Sequence, residues 1–348
     1  MCVPHDLKLP CAPRQIDHFL SEPSEGVVEA AASMAGPVGV LGASGKMGLH
    51  VAAMLRKALD RAGRAAVPVY AVSRFGSVNS REEFARFGVE TIAADLLDAK
   101  SLEALPEMGT VFFLAGIKFG TGNDPDALRR FNEEMPAMVA QRFHSSVSVA
   151  LSTGCVYPFV PVDSNGSSEE DNPSPSGDYA ISCRGRELAY ERVSREAGAR
   201  VVLIRLNYSV EFRYGVLVDI AQKVLSGLPV NVSTARVNAI WQRDAVDHII
   251  RSSAIAASPA VPLNVTGSPA LSVSAVAEEF GRLLGRETVI TGREEESAWL
   301  SNPARAHALF GTPEVNAQQM MEWIACWLLA GGGTHGKPTK FENRDGKF

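Results

Sequence analysis

From residue 37 onward the apolar residues gather in short continuous runs. Val38–Leu41 leads through a glycine turn into apolar positions at helical spacing over about Lys46–Arg61. VPVYAVS (67–73), GVETIAAD (88–95), TVFFLAG (110–116), VSVALST (147–153) and VVLIRL (201–206) repeat the theme. Such runs fit strands covered on both faces rather than half-exposed ones, which alternate apolar and polar residues. Helical stretches of roughly 10 to 20 residues separate them, Pro125–Phe143 among them, and that alternation implies βαβ units and a parallel sheet. The predicted fold class is α/β, a doubly wound parallel sheet.

After about residue 208 the pattern loosens. A helix around Val216–Gly227, the segment PVNVSTARVNAIWQ (229–242), a helix from Asp244, a strand PLNVTG (262–267) and a helix from Ser272 suggest a smaller C-terminal substrate-binding lobe. Residues 1–35 carry a helix-start signal at Ser24 and read as a helical arm packed on the body. The tail GGGTHGKPTKFENRDGKF (331–348) reads as a flexible polar end rather than a lid. The expected division is thus 1–35 arm, 36–208 α/β unit, 209–330 lobe and 331–348 tail.

Composition narrows the function. With 348 residues, 46% hydrophobic and 21% charged, the chain has the length for two domains and is not disordered. The balance of 34 basic and 39 acidic residues, with no run of Lys and Arg, argues against a nucleic-acid partner. Five cysteines (2, 11, 155, 183, 326) make no CxxC, and seven histidines make no HxxxH, so a metal-free protein of a reducing, cytoplasmic compartment is expected. MCVPHDLKLPCAPRQ lacks the basic-then-apolar order of a signal peptide. The longest uncharged stretch, Phe143–Val162, holds Ser, Thr, Gly and two prolines, so no membrane span is expected.

The first chemical motif is Gly42-Ala-Ser44-Gly45-Lys46-Met47-Gly48, set between a strand and a helix. A tight turn, close backbone approach to a pyrophosphate and close helix–strand packing each require a missing side chain, and the helix N-terminus favours phosphate. The fold is therefore expected to be Rossmann-like. Where an acidic residue at the end of the second strand would bind both ribose hydroxyls, this chain has Ser73-Arg74. A guanidinium suits a 2′-phosphate, with Lys46 as a second charge, so NADP is preferred and NAD is also accommodated. The alternative is that both cations are merely solvated.

From Pro37 to Leu329 the chain resembles the extended short-chain dehydrogenase/reductases of the NAD-dependent epimerase/dehydratase group. Besides the glycine spacing, Asp95-Leu96 matches the family's adenine-contacting Asp, and Leu114-Ala115-Gly116-Ile117-Lys118 looks like the segment whose Lys lies against the cofactor. Asn132 matches the helix Asn that supports the active site. LSTGCVY (151–157) resembles the S-[ST]-x-x-V-Y signature, which makes Thr153 the orienting hydroxyl; Tyr179, 26 residues on, matches the Tyr that moves the proton during hydride transfer. By the same resemblance the helices Pro125–Phe143 and Tyr179–Ala197 would form a homodimer bundle, with Met135, Met138 and Val139 as apolar candidates.

The family pattern YxxxK breaks here, because the Lys position holds Cys183. A unit charge about 6 Å away at an effective dielectric of about 20 is worth roughly 2.8 kcal/mol, or about 2 pKa units, to the Tyr. Cys183 supplies no such charge and reads as a packing residue or, less simply, a nucleophile. Arg184 is turned away, whereas Arg186, seven residues past Tyr179, falls within about 20° of its helix face and leans back toward it. Arg186 is thus either a substitute cation or half of an ion pair with a neighbouring carboxylate. Gly154-Cys155 stand where family dehydratases carry Asp-Glu, which argues against dehydration. Glu187, Arg205 and NVTG (264–267) fit the family scaffold. NVSTARVNAIWQRD keeps Arg236 and Asp244 but lacks the glycines of nucleotide-sugar enzymes. The resemblance implies an NAD(P)-dependent oxidoreductase or epimerase acting on a sugar, sugar acid or nucleotide sugar. A non-catalytic NADP(H)-binding sensor is the alternative that Cys183 raises.

Overall fold

The computed structural model describes residues 9–76, 78–118 and 124–344, so the first eight residues of the arm and the last four of the tail lie outside it. Seven parallel strands form the central sheet: β1 (Val38–Leu41), β2 (Val69–Ser73), β3 (Glu90–Ala93), β4 (Thr110–Phe113), β5 (Val147–Thr153), β6 (Arg200–Leu206) and β7 (Val261–Val265). Their order across the sheet is β7-β6-β5-β4-β1-β2-β3. The strand order reverses between β1 and β4, and this is the switch point at which doubly wound sheets open a crevice. β1 and β4 have every residue buried, as read, whereas the edge strand β3, read in the same way, leaves Glu90 and Ala93 exposed.

Both faces of the sheet are covered. Helices α1 (Pro13–Leu20), α2 (Glu25–Ser33) and α3 (Gly48–Arg61) precede or follow β1. The α2 and α3 side chains Val27, Val51 and Leu55 join Val40 and Phe112 in one core. On the other face, α4 (Met135–Arg142) and α5 (Asp178–Ala197) supply Val139 and Tyr190 to a core with Phe113 and Leu203. The stretch expected as one helix over Pro125–Phe143 is broken by a π turn at Arg130–Glu134, which buries Asn132. Such turns widen a helix to aim a side chain inward.

The span after 208 serves two places. Strand β7 pairs with β6 in the main sheet, Val261 opposite Val202 through Val265 opposite Leu206. The helices α6 (Val216–Leu225), α8 (Val273–Leu284) and α9 (Ala317–Leu329) pack on one another as a separate core, and α7 (Gln242–Arg251) lies against the sheet. Among the described residues no helix is long and apolar enough to cross a membrane.

The tail departs from the reading of a flexible end. Phe341 is 3% exposed and belongs to the lobe core, and Thr339 is also buried. Thr234 donates to the Phe341 carbonyl at 2.9 Å, and Arg344 donates to the Ser297 carbonyl at 2.6 Å. Phe341 and these hydrogen bonds together fasten the polar segment, which its glycine-rich composition hides.

A buried polar network ties distant segments together. Arg213 donates to Asp17 of α1 at 3.0 Å and to Glu211 at 3.1 Å, and His335 in the tail stands 3.3 Å from Glu211. Asp17 also receives His50 Nε2 at 3.2 Å, while Gln242 donates to His50 Nδ1 at 2.6 Å.

Candidate active site

The carboxyl ends of β1, β4, β5 and β6 open on a cavity of about 500 Å³. Its walls are the glycine loop, residues 114–118, Thr153 and Cys155, Tyr179 and Arg186 of α5, residues 206–209, Tyr214, Gln242 and two tail residues, Lys337 and Thr339.

The glycine loop has the form a phosphate requires. Gly42 has φ +83°, and a Cβ there would stand 2.5 Å from the Ala115 nitrogen, so no side chain fits. At Gly45 the nearest atom to an added Cβ is the Gly42 carbonyl at 3.4 Å, so this point of the loop is open. Ser44 and Ser73 share a hydrogen bond of 2.6 Å, joining the loop to the end of β2. Asn79 fixes the loop from the other side through Nδ2 on the Gly45 carbonyl at 2.7 Å. Met47 and Gly48 lead into α3, whose first turn faces the cavity.

Arg74 is exposed beside Asp95, 3.9 Å from its carboxylate, with its guanidinium 5.4 Å from the Phe131 ring centroid. Asp95 accepts the Leu97 amide at 3.0 Å, and Leu96 is buried between them. Lys46 does not join this group. Its ammonium lies 3.3 Å from the centroid of the Tyr214 ring, on the side of the second lobe, and burial followed by the nearby Lys337 and Lys118 holds it down at about 7. The reading of Lys46 as a second charge for the ribose phosphate is therefore corrected.

Thr153 ends β5, and its hydroxyl accepts the Cys155 amide at 3.2 Å, which leaves its proton to donate into the cavity. The Tyr179 hydroxyl is hydrogen-bonded to the Cys183 side chain. Cys183 is wholly buried with Val156 and Tyr157, and burial pushes its thiol up, so it is a neutral packing group. Burial likewise holds the Tyr179 phenol well above its usual value, and the Arg186 guanidinium pulls the other way. Lys118 stands on the opposite side, 5.4 Å from the Tyr179 ring centroid, with its ammonium pKa lowered by burial.

Arg186 does not make the ion pair that was one of its two readings. Its Nη1 donates to the Leu151 carbonyl at 2.7 Å and its Nη2 to Asn132 Oδ1 at 2.8 Å. The neighbouring carboxylate, Glu187, is taken by Arg205, Arg184 and Ser152. Among the described residues the Arg186 guanidinium makes no ion pair and is held by neutral oxygens, and its buried Nε has no hydrogen-bond partner there. Gly116 makes the space, since a Cβ there would come 2.2 Å from Arg186 Nη2. Asn132 completes the frame by accepting the Ile117 amide at 3.0 Å and donating to the Ile117 carbonyl and Ser182. The Arg205–Glu187 pair, Tyr157 and Asn264 form a separate buried network behind the cavity.

Sequence reasoning did not pick out Asn207, Tyr208, Tyr214, Gln242, Lys337 or Thr339 as cavity residues. For Asn207 and Tyr208 a signal existed: they directly follow β6, and ligands of such sheets sit beyond strand carboxyl ends. Lys337 and Thr339 carried none, because their placement depends on how the tail packs.

A family model described as the NAD dependent epimerase/dehydratase family matches residues 38–253. No curated protein sequence matches the chain. Among solved structures, DesIV (dTDP-glucose 4,6-dehydratase) from Streptomyces venezuelae with NAD and TYD bound aligns with a TM-score of 0.71 at 18% identity, over 84% of this chain and 96% of that one. UDP-glucose 4-epimerase of Thermus thermophilus in complex with NAD aligns at 0.68 and 19%, over 83% and 97%. MoeE5 in complex with UDP-glucose and NAD aligns at 0.67 and 20%, over 85% and 99%. At such identities the likeness speaks for the fold.

Proposed function

The chain belongs to the NAD dependent epimerase/dehydratase family, and from that premise we propose that it transfers a hydride between a nicotinamide cofactor and a carbohydrate-like substrate. One observation carries the reading. Thr153, Tyr179 and the Arg186 cation line the same cavity as the glycine loop. The residues fit such a cofactor: Gly42 tolerates no side chain, Gly45 leaves the loop open, and α3 begins at the loop. Gly42 to Gly48 would hold the pyrophosphate, Ser73, Arg74, Asp95 and Leu96 the adenosine end, and Ala115, Gly116, Lys118 and Asn132 the nicotinamide end. Bound there, the nicotinamide supplies the hydride acceptor or donor.

The chain's own groups handle the proton. Thr153 would donate to the substrate oxygen, and Tyr179 would take or return that oxygen's proton. Arg186 would do by charge alone what a lysine at position 183 does in relatives. Gly154 and Cys155 offer no acid–base pair beside Thr153, which favours oxidation, reduction or epimerisation over dehydration. Arg74, with no carboxylate at position 73, supports NADP over NAD, although the solved relatives named above hold NAD. The exposed Ile181 and Leu188 on α5 support a homodimer, and the scattered cysteines support a cytoplasmic setting.

The raised Tyr179 phenol favours one second reading, a sensor that binds NADP(H) without turnover. Titration of purified protein with NADPH and NADH by nicotinamide fluorescence comes first. Panels of sugars, sugar acids and nucleotide sugars are then followed by reduced-nicotinamide absorbance, and by NMR for epimers. Binding with turnover supports the enzyme, binding without any turnover supports the sensor, and absence of binding removes both.

A further inference from the structure

Part of the cavity wall comes from the C-terminal tail, which lies beyond the residues the family model matches. The adenosine end of the cofactor is given to Ser73 and Arg74 after β2. A substrate whose reacting oxygen sits at Thr153 and Tyr179 therefore extends the other way, toward Tyr208, Tyr214, Lys337 and Thr339. Lys337 and Tyr214 also line a second cavity of about 210 Å³, bounded by Arg213, Gln222 and Pro338. The tail is thus a partition between two spaces.

The partition is fastened on both sides of Lys337. Gln222 donates to the Thr334 hydroxyl at 3.0 Å, and the His335 amide donates to the Arg213 carbonyl at 3.0 Å. Asp219 on α6 accepts the Thr339 amide at 2.7 Å and the Thr339 hydroxyl at 2.5 Å. Phe341 then enters the core of the lobe. Swinging this segment aside would break hydrogen bonds to a carboxylate, which are among the stronger ones, and expose a buried ring. The space it leaves is small. About 500 Å³ must take the nicotinamide end of the cofactor as well as the substrate. Sites for one small molecule run from roughly 300 to 1,000 Å³. We infer that the tail sets the upper size of the substrate: the site takes a single sugar or sugar acid, and a nucleotide joined to it is shut out by the segment around Lys337 and Thr339. This inference rests on the function proposed above and narrows its substrate class.

The test uses the full chain saturated with whichever of NADPH and NADH binds tighter, which fills the glycine-loop side and leaves the substrate end as the way in. Cys155 lines the cavity and is partly exposed. Its labelling, mapped by peptide mass spectrometry against the exposed Cys11, reports what passes the partition. Methyl methanethiosulfonate should modify Cys155, whereas fluorescein maleimide, a reagent on the scale of a nucleotide, should not. Lys337→Ala trims the partition at an exposed position, so the fold is retained, and Asp219→Ala cuts both bonds to Thr339. Each should raise fluorescein labelling of Cys155 about tenfold or more, with the small-reagent rate and the cofactor Kd unchanged. Calorimetry of the parent protein with cofactor should show no binding of UDP-glucose or UDP-glucuronate. Saturable binding of either one, fluorescein labelling of Cys155 in the parent, no gain in Lys337→Ala, or a Cys155 that neither reagent reaches overturns the inference and leaves the proposed function standing. Failure of the parent to bind either cofactor strikes the proposed function instead.

Discussion

Arg186 Nη2 donates to Asn132 Oδ1 at 2.8 Å across 54 positions of sequence, which seats a buried guanidinium beside Tyr179 that hydrogen-bonds, among the described residues, to neutral oxygens. Removing a cation raises the pKa of a nearby phenol, so a rate that depends on phenolate moves to higher pH. Arg186→Ala should cut turnover and shift the alkaline limb of kcat/KM upward by about one unit or more. Arg186→Lys should bring the limb back, whereas a purely structural role would lower Tm in both and leave the limb in place.

Tyr179→Phe should lower kcat by about a hundredfold or more with cofactor Kd unchanged, as loss of a general acid–base group does. Cys183→Ser should retain most activity, since the thiol is buried and neutral. Cys183→Lys is expected to lower Tm, because it sets a second cation in the dry space that Arg186 already occupies. Pairing it with Arg186→Ala should recover stability, and a Cys183→Lys protein with parental Tm would contradict that crowding.

Arg74→Ala should weaken NADP by about tenfold, the worth of a charge-assisted hydrogen bond, and change NAD little. Fluorescence titration of both cofactors decides it. Equal losses, or a parent protein that prefers NAD, would remove Arg74 from the ribose phosphate.

Ile181 and Leu188, 52% and 47% exposed, lie seven residues apart on α5 and so share one face. The double variant Ile181→Glu/Leu188→Glu should halve the mass seen by light scattering at micromolar concentration. Met135 and Val139 contribute to the intramolecular core instead, contrary to their reading as dimer contacts.

The parts of the site legible in the sequence are those that local chemistry dictates. Continuous apolar runs marked the first six strands of the sheet, and the glycine spacing marked the turn where Gly42 meets Ala115. Helical periodicity placed Arg186 on the Tyr179 side of α5. It could not distinguish a carboxylate partner from the Asn132 and Leu151 oxygens, because that depends on the π turn at Arg130–Glu134 and on Gly116. Val261–Val265 was readable as a strand, but its place beside β6 is a matter of topology. The direction of Lys46 and the seat of Lys337 follow from long-range packing, which leaves no periodic trace.

The polar network that runs from Asp17 through Arg213 and Glu211 to His335 has a consequence for the order in which the protein can be made. Asp17 is synthesised 196 positions before the Arg213 that neutralises it, and His335 follows later still. Until Arg213 emerges from the ribosome, the buried carboxylate of helix α1 has His50 but lacks its guanidinium partner. The sheet likewise waits for β7, and the cavity waits for Lys337. A nascent chain therefore holds a glycine loop and most of a sheet long before it holds a binding site, and ligand capture is confined to nearly finished molecules.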